Sequence, residues 1–397
     1  MVVLHAPTHR QTNRNGRKDP VNRAFFGLGL FLALLGMGID CGFSGEAAEE
    51  GEAARGDVEA RGRTQILSYF LGNPKDASGL KTPISIDRYN QGVEFYQKKE
   101  YELARQALEE AISHDSRNHL ALELLGDIDY YEQKLGEAKS HYEAAFRLKP
   151  RRDLKKKIEK VEKEKSVEAG LATYREEHFL IKYAGEDRGL EGFELRELLR
   201  TTYREVGQDL GYFFKHKVVV LLYDEEEFRE LSGAPHWSSG VYDGKIRLPA
   251  YRKGLTLTEI QKVMRHELTH AFVVEMSRGL CPAWLNEGLA EYEEAKVEAP
   301  DLRIMRAAIK TNTLYPLSTL FAKTGLVEVM DPLEVQLFYV EAYAVVKYIA
   351  ERYSMFHVKK MLELFRQGKD SFEVVQEVLK ISPLELENRW KESLTQS

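Results

Sequence analysis

Two histidines four positions apart, with a glutamate directly after the first, occur in the stretch VMRHELTHAF, residues 263–272. In a helix, side chains at positions i and i+4 share one face, so His266 and His270 can both reach one metal ion. Glu267 then lies beside that ion, where its carboxylate can take a proton from a water molecule. The spacing is that of a zinc site with a neighbouring base. A helix that carries two histidines for other reasons gives the same pattern.

A third ligand is available at Glu287, in the stretch PAWLNEGLAEY, residues 282–292. Reactive zinc sites use three protein ligands and keep a fourth position open, and two histidines with one glutamate form an established set. Glu287 lies 17 positions after His270, which is enough chain to end one helix, turn and place a second helix antiparallel to it. The alternative is a solvated glutamate on a helix surface.

The first of these helices has a predictable start, face and end. Thr256 and Glu259 have the spacing of a capping box. Gly279 is a candidate end of the helix. Apolar residues recur at helical spacing and predict the buried face: Ile260, Val263, Met264, Ala271 and Val274.

HELTH followed by WLNEGLAEY resembles the gluzincin metallopeptidases, the clan of thermolysin and the aminopeptidases related to aminopeptidase N. The overall pattern is most similar to the bacterial peptidase MA-like family, over roughly residues 175–395. The resemblance implies that Zn²⁺ is held by His266, His270 and Glu287, and that Glu267 is the general base of peptide-bond hydrolysis. It also implies that SSGVYDGKIRLPA, residues 238–250, contains an edge strand that pairs with extended peptide substrate.

The same resemblance extends to two further roles. Glu291 lies four residues after Glu287, where family members carry an acid that orients a zinc-binding histidine; a plain surface ion pair is the alternative. The stretch FYVEAYAVVKYIAERY, residues 338–353, matches the family segment whose tyrosine stabilises the oxyanion. Tyr339 is the matching position, and Tyr343 is the alternative one turn later. The usual Lys-Gly after this tyrosine is replaced by Glu341-Ala342.

The carboxy-terminal half predicts an α+β domain over residues 172–397. Strands are predicted at residues 178–184 and 217–224, with a helix between them, and Asp243-Gly244 is a hairpin-turn signal within residues 240–250. From about residue 256 the pattern is helical almost to the end. The fold class is therefore an all-α repeat segment followed by a gluzincin-like domain of a small sheet and helices.

An internal repeat predicts two tetratricopeptide units over residues 85–168. Its positions recur 34 residues apart: Gly92, Ala104, Leu108 and Ala111 as Gly126, Ala138, Tyr142 and Ala145. This is the tetratricopeptide period, although an ordinary set of helical hairpins is the alternative. Leu154, Ile158 and Val161 predict a capping helix, whose lysines we expect on a solvated face. The repeats imply a protein partner.

The amino terminus predicts export. A basic flank precedes the uncharged run AFFGLGLFLALLGMGI, residues 24–39, so residues 1–44 are interpreted as a signal peptide or membrane anchor. The alternative for the uncharged run is a buried core helix. Cys41 lies where a lipidated cysteine would lie. Residues 45–84 are interpreted as a flexible linker because large apolar side chains are scarce there. We expect a location in the cell envelope, membrane-anchored or periplasmic/extracellular.

Composition narrows the partner classes. The formal net charge of −6 gives no basic excess for nucleic-acid binding. The chain contains only two cysteines, far apart, which argues against a structural disulfide. The sequence thus predicts an exported zinc metallopeptidase that acts on a peptide or protein substrate. The alternative is a tetratricopeptide scaffold protein of the envelope with a structural or inactive zinc domain.

Overall fold

A computed structural model of the chain describes residues 82–184, 192–232, 240–250, 256–322 and 332–395. The predicted export segment 1–44, with Cys41, lies outside the described residues, as does the predicted linker except for its last three positions. Among the described helices, none is both long enough and apolar enough to cross a bilayer.

The amino-terminal part consists of antiparallel helix pairs: α1 Pro83–Gln97, α2 Tyr101–His114, α3 His119–Tyr131 and α4 Leu135–Leu148, followed by α5 Arg152–Glu168. Gly92 lies against Leu108, where an added Cβ would stand 2.7 Å from the leucine side chain. At Gly126 an added Cβ would stand 2.5 Å from the Tyr142 ring. Glycine at both positions therefore lets the helices of each pair approach this closely. The assignment of these pairs as tetratricopeptide repeats stays a prediction.

Helix α5 covers the second pair with its apolar stripe, as predicted. Leu154 and Val161 are buried in a cluster with Tyr142 and Ala145. Its lysines were expected on a solvated face, and this is wrong for Lys157 and Lys160. Lys157 lies 2.8 Å from Asp127, and Lys160 lies 2.8 Å from Asp243. Sequence periodicity gave the apolar stripe but did not show which elements pack against the lysines near it.

The described residues form one five-stranded sheet in the order β1-β2-β3-β5-β4, from β1 Leu171–Arg175, β2 Phe179–Ala184, β3 Val218–Leu222, β4 Val241–Tyr242 and β5 Ile246–Leu248. Strands β2, β3 and β5 run parallel, whereas β1 and β4 pair antiparallel at the two edges. The predicted hairpin turn is confirmed, with Gly244 at φ +96°. Strand β1 was not predicted.

Helices make up the remainder: α6 Gly192–Leu210, α7 Glu225–Ser232, α8 Leu257–Ser277, α9 Ala283–Glu294, α10 Arg303–Thr311, α11 Leu317–Ala322, α12 Pro332–Arg352, α13 Met355–Phe365, α14 Ser371–Leu379 and α15 Pro383–Thr395. Helices α6 and α8 pack on the sheet face that presents Ile181, Val220 and Ile246. The other face presents Leu221 and Val241 toward α5 and α7. This arrangement confirms the predicted α+β class.

A fully buried ionic network joins the helical segment to the β4–β5 hairpin. Glu164 of α5 accepts hydrogen bonds from Arg247 at 2.8 Å, Lys245 at 3.1 Å and the Tyr130 hydroxyl at 2.6 Å. Arg247 also lies 3.3 Å from Asp243, and these charged side chains are at most 2% exposed. Asp243 and Lys245 are therefore not solvent-exposed hairpin charges, because α5 covers them.

Candidate metal centre

Helix α8 brings His266, Glu267 and His270 to one buried place. The predicted capping box is confirmed: the Thr256 hydroxyl accepts from the Glu259 amide at 3.2 Å, and the Glu259 carboxylate accepts from the Thr256 amide at 2.8 Å. Both imidazoles are at most 1% exposed, and their ring centroids are 4.8 Å apart. The i, i+4 spacing therefore does place both rings on one face.

Helix α9 supplies Glu287, which lies between the two histidines. Glu287 Oε2 is 3.8 Å from His266 Nε2 and 3.5 Å from His270 Nε2. Metal-to-ligand bonds of about 2.0–2.2 Å in a tetrahedral zinc site place ligand atoms about 3.3–3.6 Å apart. These three side chains each offer one ligand atom, and the atoms lie within 4.8 Å of one another. The cluster has the dimensions of a tetrahedral metal site.

Several polar atoms in this buried space lie close to one another without making a hydrogen bond of normal distance and angle. Among the described residues, His266 Nε2, Glu287 Oε2 and both oxygens of Glu267 lack a hydrogen bond of normal geometry. Buried polar atoms are nearly always satisfied, and an ion, a water molecule or a catalytic role accounts for many of those that are not. The donor set and its unsatisfied atoms together fit a divalent cation, with Glu267 beside it.

The pKa values of two carboxylates in this space are raised. Burial raises the pKa of Glu267 to about 8, with Glu287 and Glu294 adding to the rise. Burial also raises the pKa of Glu287 to about 7, against the opposing effects of His266 and a Tyr339 hydrogen bond. Neighbouring carboxylates in a buried space repel one another, and a bound cation relieves that repulsion.

The second nitrogen of His266 is held by Glu294. Glu294 Oε2 lies 3.1 Å from His266 Nδ1, whereas Glu291 Oε1 lies 3.8 Å from the same atom. Burial would lower the pKa of His266, but the hydrogen bond to Glu294 and the charges of Glu267 and Glu291 raise it to about 10. Glu294 was missed in the sequence. It lies seven positions after Glu287, on the same helix face, and that spacing is the signal that points to it.

Two ion pairs fix α9 against α8 next to the histidines. Arg265 lies 3.0 Å from Glu293 and 2.6 Å from Glu205 of α6. Lys262 lies 3.5 Å from Glu294, and this lysine is one turn before His266. These contacts limit sliding of the two helices, so the histidines and Glu287 keep their relative positions.

Helix α12 brings Tyr339 to the centre because it crosses α9 at Gly288. A Cβ at Gly288 would stand 2.5 Å from the Ala342 carbonyl oxygen. Tyr339 is buried and makes a side-chain hydrogen bond with Glu287, and its pKa is raised by burial and by the charges of Glu287 and Glu291. By contrast, Tyr343 is hydrogen-bonded to Lys347, one turn further along α12. The geometry favours Tyr339 over Tyr343 as the tyrosine that faces the cluster.

The departure from the family pattern at Glu341-Ala342 has a structural consequence. Glu341 is fully buried and accepts from the Tyr315 amide at 3.1 Å, which fixes the segment before α11. Ala342 supplies the carbonyl that meets Gly288. Neither residue disturbs the approach of Tyr339 to Glu287.

The edge strand β4 lies along the face of α8 that carries Glu267. An added Cβ at Gly240 would stand 2.9 Å from Glu267 Oε1 and 2.6 Å from the Val263 side chain. Glycine at this position lets the strand backbone approach the carboxylate. In the described part of the chain, β4 is an end strand of the sheet. Its outer edge is therefore not paired with another strand among the described residues.

Residues 250–396 match the family model of the Peptidase MA superfamily. This stretch is a Peptidase MA superfamily domain. It contains α8, α9 and α12, and thus all the residues of the cluster, whereas the helix pairs and the sheet lie outside the match. Comparisons with curated proteins and with solved structures gave no match. The domain and its buried His/His/Glu cluster together suggest a metallopeptidase.

Proposed function

We propose that this chain is an exported zinc metallopeptidase that hydrolyses peptide bonds in extended substrates. The observation that carries the proposal is the buried cluster of His266, His270 and Glu287 beside Glu267, within a Peptidase MA superfamily domain. In this proposal the three clustered residues hold Zn²⁺. A zinc ion bound there supplies Lewis-acid polarisation of the peptide carbonyl and lowers the pKa of a bound water.

Protein side chains and strand β4 supply the proton transfer, the oxyanion stabilisation and the substrate alignment in this proposal. Glu267 takes a proton from the attacking water and later delivers it to the leaving amine. The Tyr339 hydroxyl donates a hydrogen bond to the carbonyl oxygen as negative charge develops there. Glu294, with Glu291 near it, holds the His266 ring through Nδ1 so that Nε2 faces Glu287. The outer edge of β4 aligns the substrate backbone past Glu267.

The amino-terminal parts of the proposal rest on sequence. Residues 1–44 direct export and residues 85–168 act as tetratricopeptide repeats that bind a protein partner. A fusion of residues 1–44 to a reporter that works only outside the cytoplasm should be active. A well-expressed but silent fusion would argue against export.

Metal content followed by proteolysis tests the catalytic proposal. The purified full chain should bind one zinc ion and cleave a generic unfolded protein, a chelator should stop cleavage, and added zinc should restore it. Zinc-loaded protein that leaves the unfolded substrate intact would contradict the proposal and favour the scaffold alternative.

A further inference from the structure

A cavity of about 60 Å³ lies where the helix pairs meet the sheet and α8. That is room for about four water molecules, or for one small polar group. Lys99, Tyr101 and Tyr131 line it from the helix pairs. His216 lines it from the loop before β3, Tyr242 from β4, and Val274 from α8. No single element forms this cavity, since its walls come from both halves of the chain.

The cavity continues the catalytic face of α8. Glu267, Ala271 and Val274 follow one another at intervals of four and three residues, so they share one face of the helix. Gly240, directly before β4, packs against Glu267, and Tyr242 of β4 points to the same sheet face two residues later. Two strand residues correspond to about 7 Å. A peptide added to the edge of β4 therefore places one of its groups at the cavity when its scissile bond is near Glu267.

The cavity presents a cation and a polar nitrogen among aromatic rings. Lys99 Nζ lies 5.8 Å from the Tyr101 ring centroid and 5.5 Å from that of Tyr131. The buried Nδ1 of His216 has no hydrogen-bond partner among the described residues. The ring of His216 is fixed at 6.1 Å from Tyr101 and 5.4 Å from Phe214.

The nearby carboxylates are already engaged. Asp243 lines the cavity, but its oxygens lie 2.8 Å from Lys160 and 3.3 Å from Arg247. Glu275, whose charge acts on Lys99 and on His216, accepts from the Tyr212 hydroxyl at 3.3 Å. The cavity thus presents to a guest the Lys99 ammonium, which is hydrogen-bonded to the Tyr101 side chain.

We propose that this cavity is a substrate subsite that binds a peptide carboxylate, with Lys99 as the cation that recognises it. The inference rests on the proposed peptidase function and adds a substrate class to it. The carboxylate belongs either to an Asp or Glu side chain or to the free carboxy terminus of the peptide. The helix pairs then contribute directly to substrate choice, in addition to any partner they bind.

Binding is measured without turnover, on full-length zinc-loaded protein carrying Glu267→Gln. Isothermal titration calorimetry compares N-acetylated peptides that have Glu or Gln at one scanned position, each with a free or an amidated carboxy terminus. A hydrogen bond to a charged group predicts about ten- to a hundredfold tighter binding of the carboxylate peptide. A Glu preference identifies a side-chain carboxylate, and a free-acid preference identifies the terminus.

Variants assign the preference to the cavity. Lys99→Met should bring the ratio of affinities for carboxylate and neutral peptides close to one, whereas Lys99→Arg should retain most of the preference. Lys98→Met is the matched control, because Lys98 is an exposed neighbour. Equal binding of all peptides by the Glu267→Gln protein, or a preference that survives Lys99→Met, overturns the subsite. Proteolysis by the wild-type chain tests the proposed function separately, so the failure of either is recognised on its own.

Discussion

Glu164→Gln should lower the free energy of unfolding of the protein, because Glu164 forms ion pairs with two buried cations. Arg247 and Lys245 lie 2.8 and 3.1 Å from its two oxygens, and all three side chains are fully buried. The substitution keeps the size of the side chain and removes its charge. Removing one partner of a buried ion pair costs about 3–5 kcal/mol, because the remaining charge is left uncompensated away from water. Asp243, 3.3 Å from Arg247, compensates only part of this loss.

The control is Glu162→Gln on the same helix. Glu162 is half exposed and lies 2.6 Å from Lys139, itself about one-third exposed. Exposed pairs contribute about 0–1 kcal/mol. Urea unfolding at neutral pH, followed by far-UV circular dichroism, gives the free energy of unfolding for both variants. Equal losses in the two variants would refute the claim that the buried network stabilises the junction.

Three further predictions concern pH, the metal ligands and the edge strand. Burial would raise the pKa of Glu164, but Arg247 and Lys245 hold it at about 2, against an ordinary value of 4.5. The stabilisation from Glu164 is therefore complete above pH 4.5 and is lost as the pH falls toward 2. The free energies of unfolding of wild type and Glu164→Gln should converge in that pH window, and a constant difference between them would contradict the prediction. Glu287→Ala should lose zinc in chelator competition, whereas Glu291→Ala should weaken metal binding or activity by only about 10–100-fold, and the reverse order would overturn the ligand assignment. Gly240→Ala should slow peptide cleavage and leave zinc content unchanged, because the new methyl group displaces Glu267; unchanged cleavage would show that the contact is not needed.

Local sequence signals accounted for the helices and strands that carry the site. The capping box at Thr256 and the apolar stripe placed α8 correctly, and the 17-residue separation between His270 and Glu287 predicted an antiparallel neighbour. Asp243-Gly244 gave the hairpin because a positive φ is needed there. Strand β1 was missed since its five residues carry no strong alternation and its side chains are largely exposed or half-buried.

Features that depend on packing between distant segments were not predictable. Two acids, Glu291 and Glu294, follow Glu287 on one helix face. Only the position of α9 relative to α8 shows that Glu294 lies closer to His266 than Glu291 does. The buried pairing of Lys245 with Glu164 joins residues 81 positions apart. A sequence pattern gives the face on which a residue lies but not the element that covers it.

The export segment, the linker and the partner of the helix pairs stay predictions. Residues 1–44 and Cys41 lie outside the described part of the chain. The contacts at Gly92 and Gly126 explain why small residues recur 34 positions apart, since each lets a helix pair close. They give a physical reason for the repeat without identifying what it binds.

The central claim is that His266, His270 and Glu287 hold zinc while Glu267 performs proton transfer, and one variant tests it most directly. Glu267→Gln should retain the zinc content of the wild-type chain, measured by inductively coupled plasma mass spectrometry. Its cleavage of an unfolded protein substrate should fall by at least about 10²–10⁴-fold, as expected for loss of a general base. Zinc loss from this variant, or cleavage at the wild-type rate with zinc retained, would contradict the account.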